Sequence, residues 1–378
     1  MPHCKICSLS GTHPGVTLDE DSVCSLCKLE VADELLHNVN YAKSAYEEFK
    51  NSRPNLHSPY DCVLMFSGGK DSTYLLDKFV NEFHKRVLAY TFDVPFESDH
   101  AAANVRLVQS KIRATFVDEE DDENIKTVVR SAFNRPARDK PGEYLDEKFP
   151  CMSCRTFFVI RAVLYAYRHR IPYVIFCADP QQILTVQPEV REIVRGFYRA
   201  FGQELATGAF EGELEELLFA EDERLPKIVF PFVAMHREYD PDRIIAELKA
   251  KDLYHSSPLE THCMLFPLLN HYSFRHWDCM FYKLNASSYL RAVRKNKDSA
   301  RATYSFRFPR TANLVEIEER LKTTLFAIAT NEGDSVQQEE TLVSLFRQLD
   351  ASEEAARFAA RSCLAMRVVA AELGIDLS

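Results

Sequence analysis

Val63-Leu64-Met65-Phe66-Ser67-Gly68-Gly69-Lys70-Asp71-Ser72-Thr73 is the stretch from which the rest of the chain is read. The apolar run from Cys62 to Phe66 reads as a buried strand. A Ser-Gly-Gly turn ends it, and helical spacing of Tyr74, Leu75, Phe79 and Val80 begins at Lys70. Strand, small-residue loop and helix together aim backbone N–H groups and a helix N-terminus at an anion. Gly68 and Gly69 let the backbone approach a phosphate with no Cβ in the way. Ser67 and Ser72 offer hydroxyls, and Lys70 adds a point charge. The spacing is not that of the Walker loop, which needs four residues between its glycines.

From residue 62 onward strands and helices alternate. Residues 86–92 read as a second strand ending at Asp93, 101–112 as a helix and 114–117 as a short third strand. An acidic stretch, 118–123, then leads into a helix that runs through Phe133. A helix over 155–169 leads to a fourth strand over 170–177, and 226–232 reads as a fifth. Such alternation predicts an α/β fold: a doubly wound, mostly parallel, five-stranded sheet with ligands at the C-terminal edge of its strands. Asp93 and Asp179 fall at that edge, where they either cap strand ends or contact a ligand. The Glu-rich insertion 188–225 is too long for an ordinary connection and reads as a helical lid or cap.

Before this domain, Cys4/Cys7 and Cys24/Cys27 form two CxxC pairs separated by sixteen residues, the spacing of a four-thiolate zinc site. Residues 1–30 are therefore read as a zinc ribbon with a structural Zn2+, and 31–58 as a linker carrying an amphipathic helix over 33–50. The α/β domain takes residues 59–275. Beyond it, 276–294, 314–330, 336–349 and 353–373 show helical spacing, so 276–378 reads as an all-α C-terminal region. Packing, homodimer formation and substrate capping are all open roles for it.

Bulk composition narrows the function. The chain has 378 residues, 46% hydrophobic content and a formal net charge of −10. Nucleic-acid binding leaves a basic footprint, so this balance favours a small-molecule substrate over tRNA. No apolar run approaches the roughly 18 to 20 residues of a membrane span. Eleven cysteines with neither a signal peptide nor a membrane span suggest reduced thiols or metal ligands in the cytoplasm.

A second cysteine group, Cys151, Cys154 and Cys263, admits three readings. It can hold three irons of a cubane cluster, act through a redox or persulfide-carrying pair, or bind a second zinc with His255 or His262. Cys62, Cys177, Cys279 and Cys363 sit in apolar patterns and read as core.

The hexapeptide Ser67-Gly68-Gly69-Lys70-Asp71-Ser72 resembles the SGGxDS signature of the PP-loop ATP pyrophosphatase superfamily, the adenine nucleotide alpha hydrolase-like branch of HUP-like folds. That resemblance implies ATP, with Mg2+, cleaved between the α and β phosphates to give an adenylated substrate and pyrophosphate. It assigns nucleotide contacts to the hexapeptide, Asp93 and Asp179, with Lys70 and Asp71 acting in the chemistry. The order CxxC, helix, strand, Pro231-Phe232, helix, lone cysteine is similar to iron–sulfur-dependent tRNA thiolation enzymes. It implies Cys151, Cys154 and Cys263 as ligands of a 4Fe–4S cluster and a sulfurtransferase activity. The opening from Cys4 through Thr17-Leu18-Asp19-Glu20-Asp21-Ser22-Val23-Cys24 to Cys27 is similar to bacterial N-acetyl sugar amidotransferases. That likeness implies the alternative, amidotransfer onto a sugar or other small metabolite, with ammonia from a partner glutaminase. Either way a sulfur- or ammonia-donating partner protein is expected.

Overall fold

Strand Cys62–Met65 (β1) lies at the centre of a five-stranded, all-parallel sheet of order β3-β2-β1-β4-β5, in the computed structural model of the chain. The structure describes residues 4–5, 11, 17–28, 32–94, 96–120, 122–135, 150–177, 179, 187–202, 209–235, 238–255, 263–278, 280, 314–348 and 351–377. The other strands are Val87–Asp93 (β2), Thr115–Glu120 (β3), Tyr173–Ile175 (β4) and Lys227–Val229 (β5). Register runs Val63 to Leu88 and Val174, with Val174 in turn beside Ile228. Helices cover both faces, which gives a Rossmann-like α/β architecture and explains why the central strands read as unbroken apolar runs.

Alternation along each strand splits the core in two. Val63, Leu88, Tyr90, Val174 and Ile228 face the helices Asp122–Asn134 (α5) and Pro150–Arg168 (α6). Cys62, Leu64, Ala89, Tyr173 and Ile175 face Lys70–Asp77 (α3), Asp99–Lys111 (α4) and Pro241–Ala250 (α10). The helix Ala32–Asn51 (α2) serves both sides, Val39 and Ala42 on one and Ala45, Tyr46 and Phe49 on the other. It is not a spacer but the seal over the β5 edge, where the Tyr41 hydroxyl donates to the Ile228 carbonyl at 2.8 Å. Phe49, fully buried edge-on against Phe79 and Tyr173, contributes about 2 to 3 kcal/mol by burial alone.

Several boundaries differ from those the sequence suggests. First, β3 continues through Asp118, Glu119 and Glu120 instead of ending at Val117. Glu119 is held there by the Tyr90 hydroxyl and by Arg161 of α6, whose Nε lies 2.7 Å away. An inward charge on an edge strand is stable because it is paired. Second, α6 starts at Pro150, so Cys151 and Cys154 lie inside its first turns and not ahead of it. Proline suits that first position because its missing N–H has no helical partner there. Third, β4 and β5 are three residues each. Arg170 has a left-handed φ of 54° ahead of β4, and Pro231 opens the short helix Pro231–Ala234 (α9) after β5.

The described part of the insertion forms helices Val190–Phe201 (α7) and Ala209–Leu218 (α8), docked on α6. Val194, Phe197, Phe201, Phe210 and Leu214 join the α6 core, and Arg168 pairs with Glu213 at 3.1 Å and Glu216 at 2.7 Å. This is a cap on α6, not a free lid. Helix Phe266–Trp277 (α11) begins ten residues before the helix expected from 276, so position 275 falls inside it. The later described helices are Leu314–Thr330, Ser335–Gln348, Glu353–Leu364 and Met366–Leu373; the one helix read over 353–373 is two. Their buried side chains belong to the same core as α6. No described helix is long and apolar enough to cross a membrane.

His271 of α11 is buried against Phe326, and its Nε2 has no hydrogen-bond partner among the described residues. Burial, then the nearby Arg275 and His276, push its imidazole down to about 4. The folded chain therefore keeps it neutral, while the unfolded chain protonates it near its ordinary value of about 6.5. Its stabilisation is full above that value and lost as pH falls toward 4. Between pH 7 and pH 5 wild type should lose about 2 kcal/mol more stability than His271→Gln, measured by urea denaturation at both values. Equal losses in the two proteins would contradict the buried neutral imidazole.

Candidate active site at the sheet edge

The Ser67–Ser72 loop leaves β1 with strand geometry still engaged: the Phe66 amide donates to the Tyr90 carbonyl at 2.8 Å. Gly68 then turns with φ 67°, a left-handed conformation that favours glycine. A Cβ at Gly68 would stand 2.8 Å from the Ala101 carbonyl and 2.9 Å from Val105 Cγ2, so α4 packs directly on the loop. Gly69 precedes α3 in an extended conformation and, having no side chain, leaves the first helical amides uncapped by it. Ser72 closes the turn from within: its Oγ accepts from the Ser67 amide at 3.3 Å and donates to the Gly69 carbonyl at 3.2 Å. All of this lies at the C-terminal end of the central strand. There β2 lies on one side of β1 and β4 on the other, the topological switch point where α/β sheets bind ligands.

Charge is organised around Asp71. Its Oδ2 pairs with Lys70 Nζ at 2.8 Å, and its Oδ1 accepts from the Tyr239 hydroxyl at 2.9 Å. Cys177, read from sequence as core, is only half-buried just past β4, with its Sγ 3.5 Å from the Met65 carbonyl. Burial and then the Asp71 charge push its thiol well up. Asp93 ends β2, exposed, and couples to the half-buried Glu97. Burial and then Asp93 raise the Glu97 carboxyl to about 7. Its stability contribution runs opposite to that of His271, because folding favours its protonated form as pH falls toward about 4.5. The two contributions therefore partly cancel where they overlap, between about pH 4.5 and 6.5.

The three cysteines of the second group converge on the same edge. Residues Glu97 and Cys263 pair as an isolated antiparallel bridge, and the Met264 amide donates to the Phe96 carbonyl at 2.9 Å. This stitches the segment after β2 to the start of α11. Cys263 in turn interacts electrostatically with Cys151 and Cys154 of α6. Burial pushes all three thiols up, Cys263 to about 12; Cys154 is raised further by its two sulfur neighbours, whereas Arg155 eases Cys151 down. Arg155 also interacts with Asp179 and lies over the Phe176 ring, 5.6 Å from its centroid. One guanidinium thus spans the thiols and the loop after β4. Among the described residues no three His, Cys, Asp or Glu side chains are arranged to hold one metal ion. His255 exchanges backbone hydrogen bonds with the Asn104 side chain of α4, and His262 lies outside the described residues. Their soft sulfur donors are of the type that iron–sulfur clusters and zinc both take.

No family model and no curated protein matches this chain.

Of the N-terminal set, Cys4 and Cys24 are buried together, with the Cys24 amide donating to Cys4 Sγ at 3.3 Å. Cys7 and the side chain of Cys27 lie outside the described residues, as does Cys279. Sequence reasoning missed four residues of the site: Glu97, Arg155, Cys177 and Tyr239. Arg155 follows Cys151 by four on one helix, a spacing that puts the two on one face, whereas Glu97 lies outside any helix and carried no such signal. Tyr239 carried none.

Proposed function

We propose that this protein is a PP-loop enzyme that adenylates a substrate oxygen with ATP, releases pyrophosphate and then replaces that oxygen with sulfur. One observation carries the reading: a phosphate-type loop at the switch point shares its sheet edge with three neighbouring, half-buried thiols. The substrate oxygen attacks the α-phosphorus, the α–β bridging P–O bond breaks, and pyrophosphate leaves. Charge growing on pyrophosphate is met by Lys70, by the Ser67 and Ser72 hydroxyls and by the first amides of α3. The Asp71 carboxylate, with its hard oxygen donors, would be the group to hold a magnesium ion, which would supply further positive charge for the departing pyrophosphate. Hydrosulfide then attacks the activated carbon, and AMP departs with the oxygen.

Cys151, Cys154 and Cys263 would hold the 4Fe–4S cluster, whose chemistry is to offer an open iron to the sulfur donor. The chain's own residues hold charge there, with Arg155 interacting with both Cys151 and Asp179. Zinc on Cys4, Cys7, Cys24 and Cys27 belongs to the same reading as a structural metal. The acidic balance supports a small-molecule substrate.

The test is anaerobic purification, iron and sulfide analysis, and an AMP and pyrophosphate assay with ATP plus either sulfide or ammonium, surveyed over small carbonyl and hydroxyl metabolites. Bound iron with sulfide-dependent pyrophosphate release is expected. Ammonium-dependent release that survives Cys263→Ala would replace thiolation with amidotransfer. Tight ATP binding with no release under either nucleophile would discard the enzyme reading for a nucleotide sensor.

A further inference from the structure

We infer that Tyr239 is a positioning residue for the nucleotide loop, acting through Asp71 to make Lys70 available to phosphate. The inference rests on the ATP-site reading above and extends it to a residue from the opposite end of the domain. Tyr239 lies between α9 and α10, beyond the C-terminal end of β5, 168 residues from Asp71 in sequence. Its ring is buried edge-on against Phe232 at 4.8 Å, and Phe232 in turn stacks on Tyr74 of α3 at 6.1 Å. The aromatic row fixes the ring and aims its hydroxyl at the first turn of α3.

That hydroxyl takes one oxygen of Asp71 at 2.9 Å while Lys70 takes the other at 2.8 Å. An arriving phosphate must draw Lys70 away from Asp71. A carboxylate already anchored by a charge-assisted hydrogen bond stays in place and gives up the ammonium more readily. Without the hydroxyl, Lys70 becomes the stronger partner for Asp71, and the loop meets the nucleotide with its cation engaged. The ring packing serves the fold; the oxygen serves the site.

Tyr239→Phe keeps the packing and removes only the hydroxyl, so calorimetric binding of α,β-methylene-ATP isolates the effect. In the otherwise wild-type protein the substitution should weaken binding about tenfold, the scale of one hydrogen bond to a charged group. In an Asp71→Ala background it should change binding less than about twofold, because the carboxylate through which it acts is gone. Urea denaturation of Tyr239→Phe should still show one cooperative transition, with a midpoint lowered by no more than the loss of that hydrogen bond explains. Unchanged binding in the single variant, or the same loss in both backgrounds, overturns the inference and leaves the ATP site standing. Failure of the wild-type protein to bind the analogue removes the ATP-site reading itself and this inference with it.

Discussion

Gly68→Ala should destabilise the protein by about 3 kcal/mol and weaken ATP-analogue binding more than any other single change in the loop. Two costs add. The left-handed φ of 67° is strained for any residue with a Cβ, by about 1 to 2 kcal/mol. The new methyl would also stand 2.8 Å from the Ala101 carbonyl and 3.0 Å from the Val105 amide nitrogen. Those are backbone atoms of α4 near a start fixed by its Ser98 cap, so they cannot swing aside. Relief requires moving α4 or reshaping the loop, and either displaces the first amides of α3, which the proposed function aims at phosphate. Gly212 in α8 is the internal control. A Cβ there meets nothing within 4 Å, so Gly212→Ala should be neutral or stabilising by up to about 1 kcal/mol. Urea denaturation of both variants, with calorimetric titration of α,β-methylene-ATP, checks the pair; a Gly68→Ala protein as stable as wild type would refute the argument.

Lys70→Ala should lower pyrophosphate release about 100-fold, while Lys78→Ala on the continuation of the same helix should change it less than about threefold. Lys70 lies within the loop, half-buried, with its ammonium on Asp71 at the position where pyrophosphate charge would develop. Lys78 follows the last residue of α3 and spends its charge on Glu82 at 2.7 Å, with its ammonium 5.4 Å from the Phe83 ring centroid. The two lysines share a helix axis and differ in where their charge lies. Coupled detection of pyrophosphate gives the comparison directly. Equal effects of the two substitutions would mean that general helix charge matters, not a site at the loop.

Much of this architecture is local information. Period-two burial of Val63, Leu88 and Val174 against Cys62, Leu64 and Ile175 needs only apolar residues in short runs, and such runs can be read one strand at a time. The glycine turn after β1 is equally local, because left-handed backbone and close approach are properties of the residue itself. Where local rules compete, reading by pattern falters. The acidic end of β3 looked like a loop because its stabilising partners, Tyr90 and Arg161, lie far away in sequence. The start of α6 was placed late because Pro150 and the small and polar residues after it break the apolar period.

By itself, then, the sequence determined the parallel α/β core, the glycine turn at the end of its central strand and the cysteines worth watching. Only the tertiary structure decided that Cys263 lies with Cys151 and Cys154, that Arg155 spans the thiols and Asp179, and that Tyr239 holds Asp71. The reason is physical: strand and turn preferences act over a few residues, whereas the meetings of Cys263 with α6 and of Tyr239 with Asp71 arise from strand order and from packing between segments more than 100 residues apart, which no periodicity encodes.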